Sequence, residues 1–146
     1  MIDQRTAPYA IFCLRVTLGL FAIAHLYYKY AVVPGGVDGW WANLTAAGYP
    51  DWVVIYVLSA EFLGAVLLIP GICARWVALY AVPLMLAAAI HWFMRKGYFF
   101  TAAGAELPTL WTIALLVQAG LGDGAYAMVR SPTVPFINRV RHPAHA

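Results

Sequence analysis

Five ionisable side chains fall inside stretches of this chain that are otherwise apolar: Arg15, His25, Lys29, Glu61 and His91. A charge surrounded by hydrocarbon is costly unless it is paired, so each of these residues needs a partner or a purpose. At 100° per residue, Arg15, Gly19, Ala22, His25 and Lys29 fall within an arc of about 120° on one helix. Three of those positions are polar and two are small, which suits a face turned into a helix bundle where backbones approach closely. Glu61, Gly64 and Leu68 share a face of the next apolar stretch by the same spacing, with Glu61 about halfway along it.

Rise arithmetic puts Arg15 roughly 9 Å to one side of the level of Phe21 and His25 roughly 6 Å to the other. Either could reach Glu61. The guanidinium of Arg15 is the favoured partner, because it stays charged and grips a carboxylate with two parallel hydrogen bonds. An Arg15–Glu61 ion pair is therefore expected, serving chemistry or simply fixing helix register. His25 and His91 belong to stretches that run in the same direction, each within about one and a half turns of the same end. Two histidines at matching depth in a bundle could clamp a haem iron or hydrogen-bond the carbonyls of a quinone. They could also line, with Lys29 and Glu61, a polar small-molecule pocket, or be satisfied interior residues with no ligand. In the quinone case Glu61 would accept or relay a proton and His25 or His91 would hold a carbonyl. Lys29 would favour the reduced, anionic form of the ligand.

Other chemistries lack their residues. There is no C-x-x-C, no C-x-x-C-H, no H-E-x-x-H and no glycine-rich phosphate loop, so no metal site is expected. Cys13 and Cys73 both fall near one boundary and carry no redox motif.

Of the 146 residues, 64% are apolar and 10% are charged. Soluble domains carry about 25% charged residues, so this chain cannot cover a water-facing surface. The net charge of +3 leaves no footprint for nucleic acid. A spanning helix needs roughly 20 mostly apolar residues. Four stretches qualify, at about 8–33, 50–69, 75–94 and 107–128. An all-α, integral-membrane four-helix bundle follows, forming a single domain over 1–130 with a basic tail over 131–146. Arg15 interrupts the apolar run ahead of Ala22-Ile23-Ala24, so the first helix is expected to be retained rather than cleaved as a signal peptide.

With four spans, Arg5, Arg75, Arg130, Arg139 and Arg141 share one side, and Lys29, Arg95 and Lys96 lie towards the other with Asp38, Asp51 and Glu106. The positive-inside rule then puts both termini and the tail in the cytoplasm. Trp40, Trp41, Trp52, Trp92 and Trp111 fall near the outer interface and Trp76 near the inner one, as amphipathic rings do. The first outer loop can form a short helix, with Val37, Trp40, Trp41, Leu44 and Ala47 on one face, lying on the surface or capping the bundle mouth. Gln118, inside the last span, is expected to hydrogen-bond between helices.

Arg15-x-x-x-Gly19 with His25 and Lys29, then Glu61-Phe62-Leu63-Gly64 running to Pro70-Gly71 with Arg75, then Ala87 to His91, resembles the DoxX family of small four-helix membrane proteins. The closing Gly120-Leu121-Gly122-Asp123-Gly124-Ala125-Tyr126 is also similar to that family, although Asp123 departs from the basic or neutral residue expected there. The similarity runs over about residues 10–128. It implies a multi-pass protein of the bacterial inner membrane, some of whose relatives are membrane subunits of thiosulfate:quinone oxidoreductase. The expected function is a membrane subunit of a quinone-linked respiratory or sulfur-compound oxidoreductase complex, rather than a self-sufficient enzyme. A quinone is the favoured cofactor over haem b. The competing expectations are a non-catalytic anchor or assembly subunit of a larger membrane complex and, behind it, a proton or solute path at Glu61.

Overall fold

The computed structural model describes residues 3–132. The expectations for 133–146, including Arg139 and Arg141 in the basic tail, lie outside the described residues. Helix α1 spans Ala7–Tyr27, with Pro8 in its first turn, where a missing N–H costs nothing. It then widens into a π-helical turn, Tyr28–Val32. Gly35 and Gly36 take positive φ values of 78° and 61°, which let the chain reverse tightly into the short helix α2, Gly36–Ala46. Helix α3 runs over Asp51–Leu63 and also widens, at Gly64–Leu68, before Pro70-Gly71 ends it. Helix α4 covers Ala74–Lys96 and tolerates Pro83 in its interior. After a single 3-10 turn at Phe100–Ala102, α5 spans Glu106–Leu121.

Every element among the described residues is helical, apart from one isolated bridge between Ile72 and Val129. The stretches Ala7–Val32, Asp51–Leu68 and Ala74–Lys96 are long and apolar enough to cross a membrane. Large apolar side chains such as Leu20, Ile55, Phe62, Ile90, Leu110 and Ile113 point outward, and the composition that excludes a water-facing surface is what a lipid-facing one requires. The fourth apolar stretch, expected as a span over 107–128, forms a helix shorter than these three stretches. It stops at Leu121 because Gly122 and Gly124 adopt positive φ, and at about 1.5 Å per residue α5 reaches only about 24 Å.

Beyond α5 the chain folds back as a strap across the end that carries the N-terminus. Ala125 N–H donates to the Pro8 carbonyl, Met128 and Val129 donate to Pro70 and Gly71, and Cys73 donates to Val129. Both ends of the described chain therefore lie at one end of the bundle, and α2 lies at the other.

The interior is built from small residues. Ala74, Ala78 and Ala81 of α4 pack with Leu18, Ala60, Leu68, Leu115 and Ala119. At the α1–α3 crossing, a Cβ on Gly19 would come within 2.6 Å of Ile69, and one on Gly64 within 3.2 Å of Ala22. This is the close backbone approach that small residues at helical spacing permit where lipid leaves little hydrophobic drive for association. It brings the polar stripe of α1 against the Glu61 face of α3.

Candidate functional site: a polar pocket under the short helix

Lys29 lies in the π-helical turn that ends α1, and Glu61 lies one turn before the one that ends α3. Such wide turns shift a helix's register and are frequent at functional sites. Here they accompany a direct pairing: Lys29 Nζ donates to Glu61 Oε1 and Oε2 at 2.5 and 2.6 Å. Both residues are buried, with 6% and 5% of their surface exposed. His25 stands one turn before Lys29 on α1, and its Nδ1 is 3.5 Å from Glu61 Oε1. Its ring stacks on Trp111 of α5 at a centroid distance of 5.1 Å, and Trp111 also stacks on Phe21. Trp40 of α2 places its ring 4.8 Å from the Lys29 ammonium, a favourable cation–π arrangement.

The Arg15–Glu61 ion pair expected from the sequence does not form, because Lys29 takes both carboxylate oxygens. Lys29 lies 14 residues beyond Arg15 on α1, roughly 21 Å along the axis, so one carboxylate at that level cannot serve both cations. Arg15 is fully buried at the opposite end, where Nη1 donates to the Asp123 carbonyl at 2.5 Å and Nη2 to the Tyr126 carbonyl at 3.4 Å. The glycine-rich turn after α5 frees these carbonyls from helical hydrogen bonding, and the guanidinium collects them. The Asp123 carboxylate accepts from the Ser131 N–H and hydroxyl, both at 2.7 Å. Gln118 also departs from expectation: its Nε2 caps its own helix by donating to the Gly122 carbonyl at 2.6 Å.

The remaining four residues do meet. His25, Lys29, Glu61 and His91 line one cavity of about 260 Å³. Its walls are apolar: Val53 and Val57 of α3, Leu84, Met85, Ala87 and Ala88 of α4, and Trp40 and Leu44 of α2, with Trp92 beside His91. Ala87 and Ala88 leave the volume that larger side chains would fill. The short helix expected in the first loop thus covers the pocket with its Trp40 and Leu44 edge.

Tyr49 is the site residue that the sequence reading missed. It stands in the connection between α2 and α3, and its hydroxyl is hydrogen-bonded to Nδ1 of His91. A signal for it exists in the sequence, since Tyr49, Val53, Val57 and Glu61 recur every fourth residue and so continue one face of α3. No group of three or more His, Cys, Asp or Glu side chains suited to a metal ion occurs among the described residues.

Three apolar helices of spanning length around a buried, paired charge define a multi-pass membrane protein with a polar interior site. The DoxX family model matches residues 10–96, and the chain belongs to that family. The matched segment runs from within α1 to the end of α4 and contains every polar residue of the pocket. The similarity expected at the glycine-rich close, 120–126, lies beyond it. Comparison with curated proteins and with solved structures gave no match.

Proposed function

We propose that this protein is a membrane subunit of a quinone-linked respiratory or sulfur-compound oxidoreductase complex, and that the pocket beneath α2 receives the ring of a quinone-like ligand. The observation that carries this reading is the 260 Å³ cavity itself, in which His25, Lys29, Glu61 and His91 face apolar walls. Apolar walls with a few convergent polar groups are the usual composition of a small-molecule site, and this volume lies just below the usual range of about 300–1,000 Å³. A single flat ring suits it better than the larger macrocycle of haem b, although His25 and His91 both reach the cavity.

A bound quinone would take up two electrons from a partner redox subunit and two protons, leaving as hydroquinone. The chain's own groups can serve the proton side of that exchange. The Glu61 carboxylate, held by Lys29, is the group able to take up or pass on a proton; once it is protonated, the Lys29 ammonium is left to face the reduced, anionic form of the ligand. His25, 3.5 Å from Glu61, is the adjacent group able to exchange a proton with it. Lys29 offers N–H donors to a carbonyl oxygen, and because Glu61 offsets its charge it does so without leaving an uncompensated cation. Trp40 and Leu44 of α2 line the cavity on the side of the short helix. With the termini in the cytoplasm of a bacterium, as the basic residues favour, the pocket opens in the outer leaflet of the inner membrane.

Quinone extracted from protein purified in mild detergent tests this directly. An amount comparable with the protein is expected. Trace quantities, together with unchanged activity of the assembled complex carrying His25→Ala, would sink the proposal. An optical spectrum of the same sample distinguishes haem, which would give a Soret band. One observation favours the alternative of a non-catalytic anchor or assembly subunit: Lys29 and Glu61 pair with each other and could fix helix register without any ligand. That alternative predicts stoichiometric partner subunits and no bound cofactor.

A further inference from the structure

The polar groups of the pocket are not one cluster but two. The inner set is Lys29 and Glu61 with His25. The outer set is Tyr49 and His91, joined to each other by their own hydrogen bond. All five residues line the same cavity, and among the described residues no hydrogen bond links one set to the other. The chain spells out the arrangement in order: polar Tyr49 just before α3, then apolar Val53, apolar Val57 and polar Glu61 along one face of the helix. At about 1.5 Å per residue, α3 rises roughly 15 Å from Asp51 to Glu61, and Tyr49 stands two residues before the helix begins. Helix α4 repeats the pattern, with Leu84 and Ala88 leading to His91. The outer set also faces a second cavity, lined by Ala47, Met94 and Arg95, so it forms the partition between the pocket and the end of α4.

An apolar slot closed by hydrogen-bonding groups at both ends selects an apolar body with an oxygen at each end. We propose that the pocket holds its ligand by both ends, taking a ring oxygenated at opposite positions, and that Tyr49 is the specificity-determining residue for the second oxygen. This rests on the ligand reading given above and adds to it the class of ring. The inner end is the stronger anchor, because a hydrogen bond to a charged group exceeds one between neutral groups. A ring with a single oxygen therefore binds at Lys29 and Glu61 and makes no use of Tyr49. Tyr49 acts as donor or acceptor through a hydroxyl whose hydrogen can turn from His91 to the ligand, and His91 keeps it oriented.

The experiment uses the full chain in detergent and reads quenching of tryptophan fluorescence, since Trp40 and Trp92 border the cavity. Duroquinone, with oxygens at positions 1 and 4, is compared with 2,3,5,6-tetramethylphenol, which has one. For Tyr49→Phe, duroquinone affinity should fall by about three- to tenfold, the range of one neutral hydrogen bond, while the phenol stays within about twofold. His91→Gln, which keeps a hydrogen-bonding side chain but releases Tyr49, should give a smaller loss of the same selectivity. Unchanged duroquinone affinity in Tyr49→Phe, or an equal loss for both ligands, would overturn the two-ended site while leaving ligand binding standing. If the wild-type protein shows saturable quenching with neither ring, the ligand reading itself fails and this inference falls with it.

Discussion

Helix α1 carries two buried cations, Arg15 and Lys29, on one stripe, and the two ends of the molecule treat them differently. At the α2 end, Lys29 is neutralised by a carboxylate and borders open volume. At the other end, Arg15 is held by carbonyls of the returning strap, and its guanidinium packs so tightly that a Cβ on Gly71 would collide with it. Ser131 and Asp123 then lock the strap beside it. A buried charge is thus not by itself a sign of chemistry. What separates a site from a fastening is whether space for a ligand adjoins the charge and whether its partner can change protonation state.

The contrast can be broken most severely at the Lys29–Glu61 pair. Removing one member alone, as in Lys29→Met, strands a buried charge and should cost about 3–5 kcal/mol, measurable as a lowered thermal midpoint in detergent. The double substitution Lys29→Met with Glu61→Leu should recover most of that stability yet bind no quinone; recovered binding would show that the pair plays no part in the site. Next in size is Arg15→Met, which removes charged hydrogen bonds to two carbonyls and should cost roughly 2–3 kcal/mol while leaving quinone affinity unchanged. Faster proteolysis near residues 122–131 would report release of the strap, and a change in ligand affinity would contradict the separation of the two ends. Ser131→Ala should cost about 1 kcal/mol, again with no effect on binding. The smallest stability effect is expected for His25→Phe, which keeps a ring to stack on Trp111 and should alter the thermal midpoint by less than about 2 °C, while weakening quinone binding measured by fluorescence.

Much of the fold was legible because apolar run length is a local property. The first three spans appear within a residue or two of their expected limits, and the short helix forms where Val37, Trp40 and Leu44 share a face. The fourth was overextended, because the residues from Gly122 to Met128 are mostly small or apolar despite Asp123, while the positive φ of Gly122 turns the backbone away. In the site, the grouping of His25, Lys29, Glu61 and His91 followed from depth and helical phase alone. Tyr49 went unread because it precedes α3, where helical phase is not obviously binding on the chain.

The sequence by itself determined that this is a membrane protein of apolar helices with five ionisable residues inside its apolar stretches, since hydropathy and helical spacing need no knowledge of neighbours. Which cation answers Glu61 was decided only by tertiary structure. Arg15 and Lys29 lie on the same stripe and both can pair with a carboxylate, so the choice depends on the level at which α3 crosses α1 and on carbonyls that the strap brings back from more than a hundred residues away. Non-local packing set that level, through Gly19 against Ile69 and Gly64 against Ala22, and with it placed the carboxylate beside Lys29 and the open cavity.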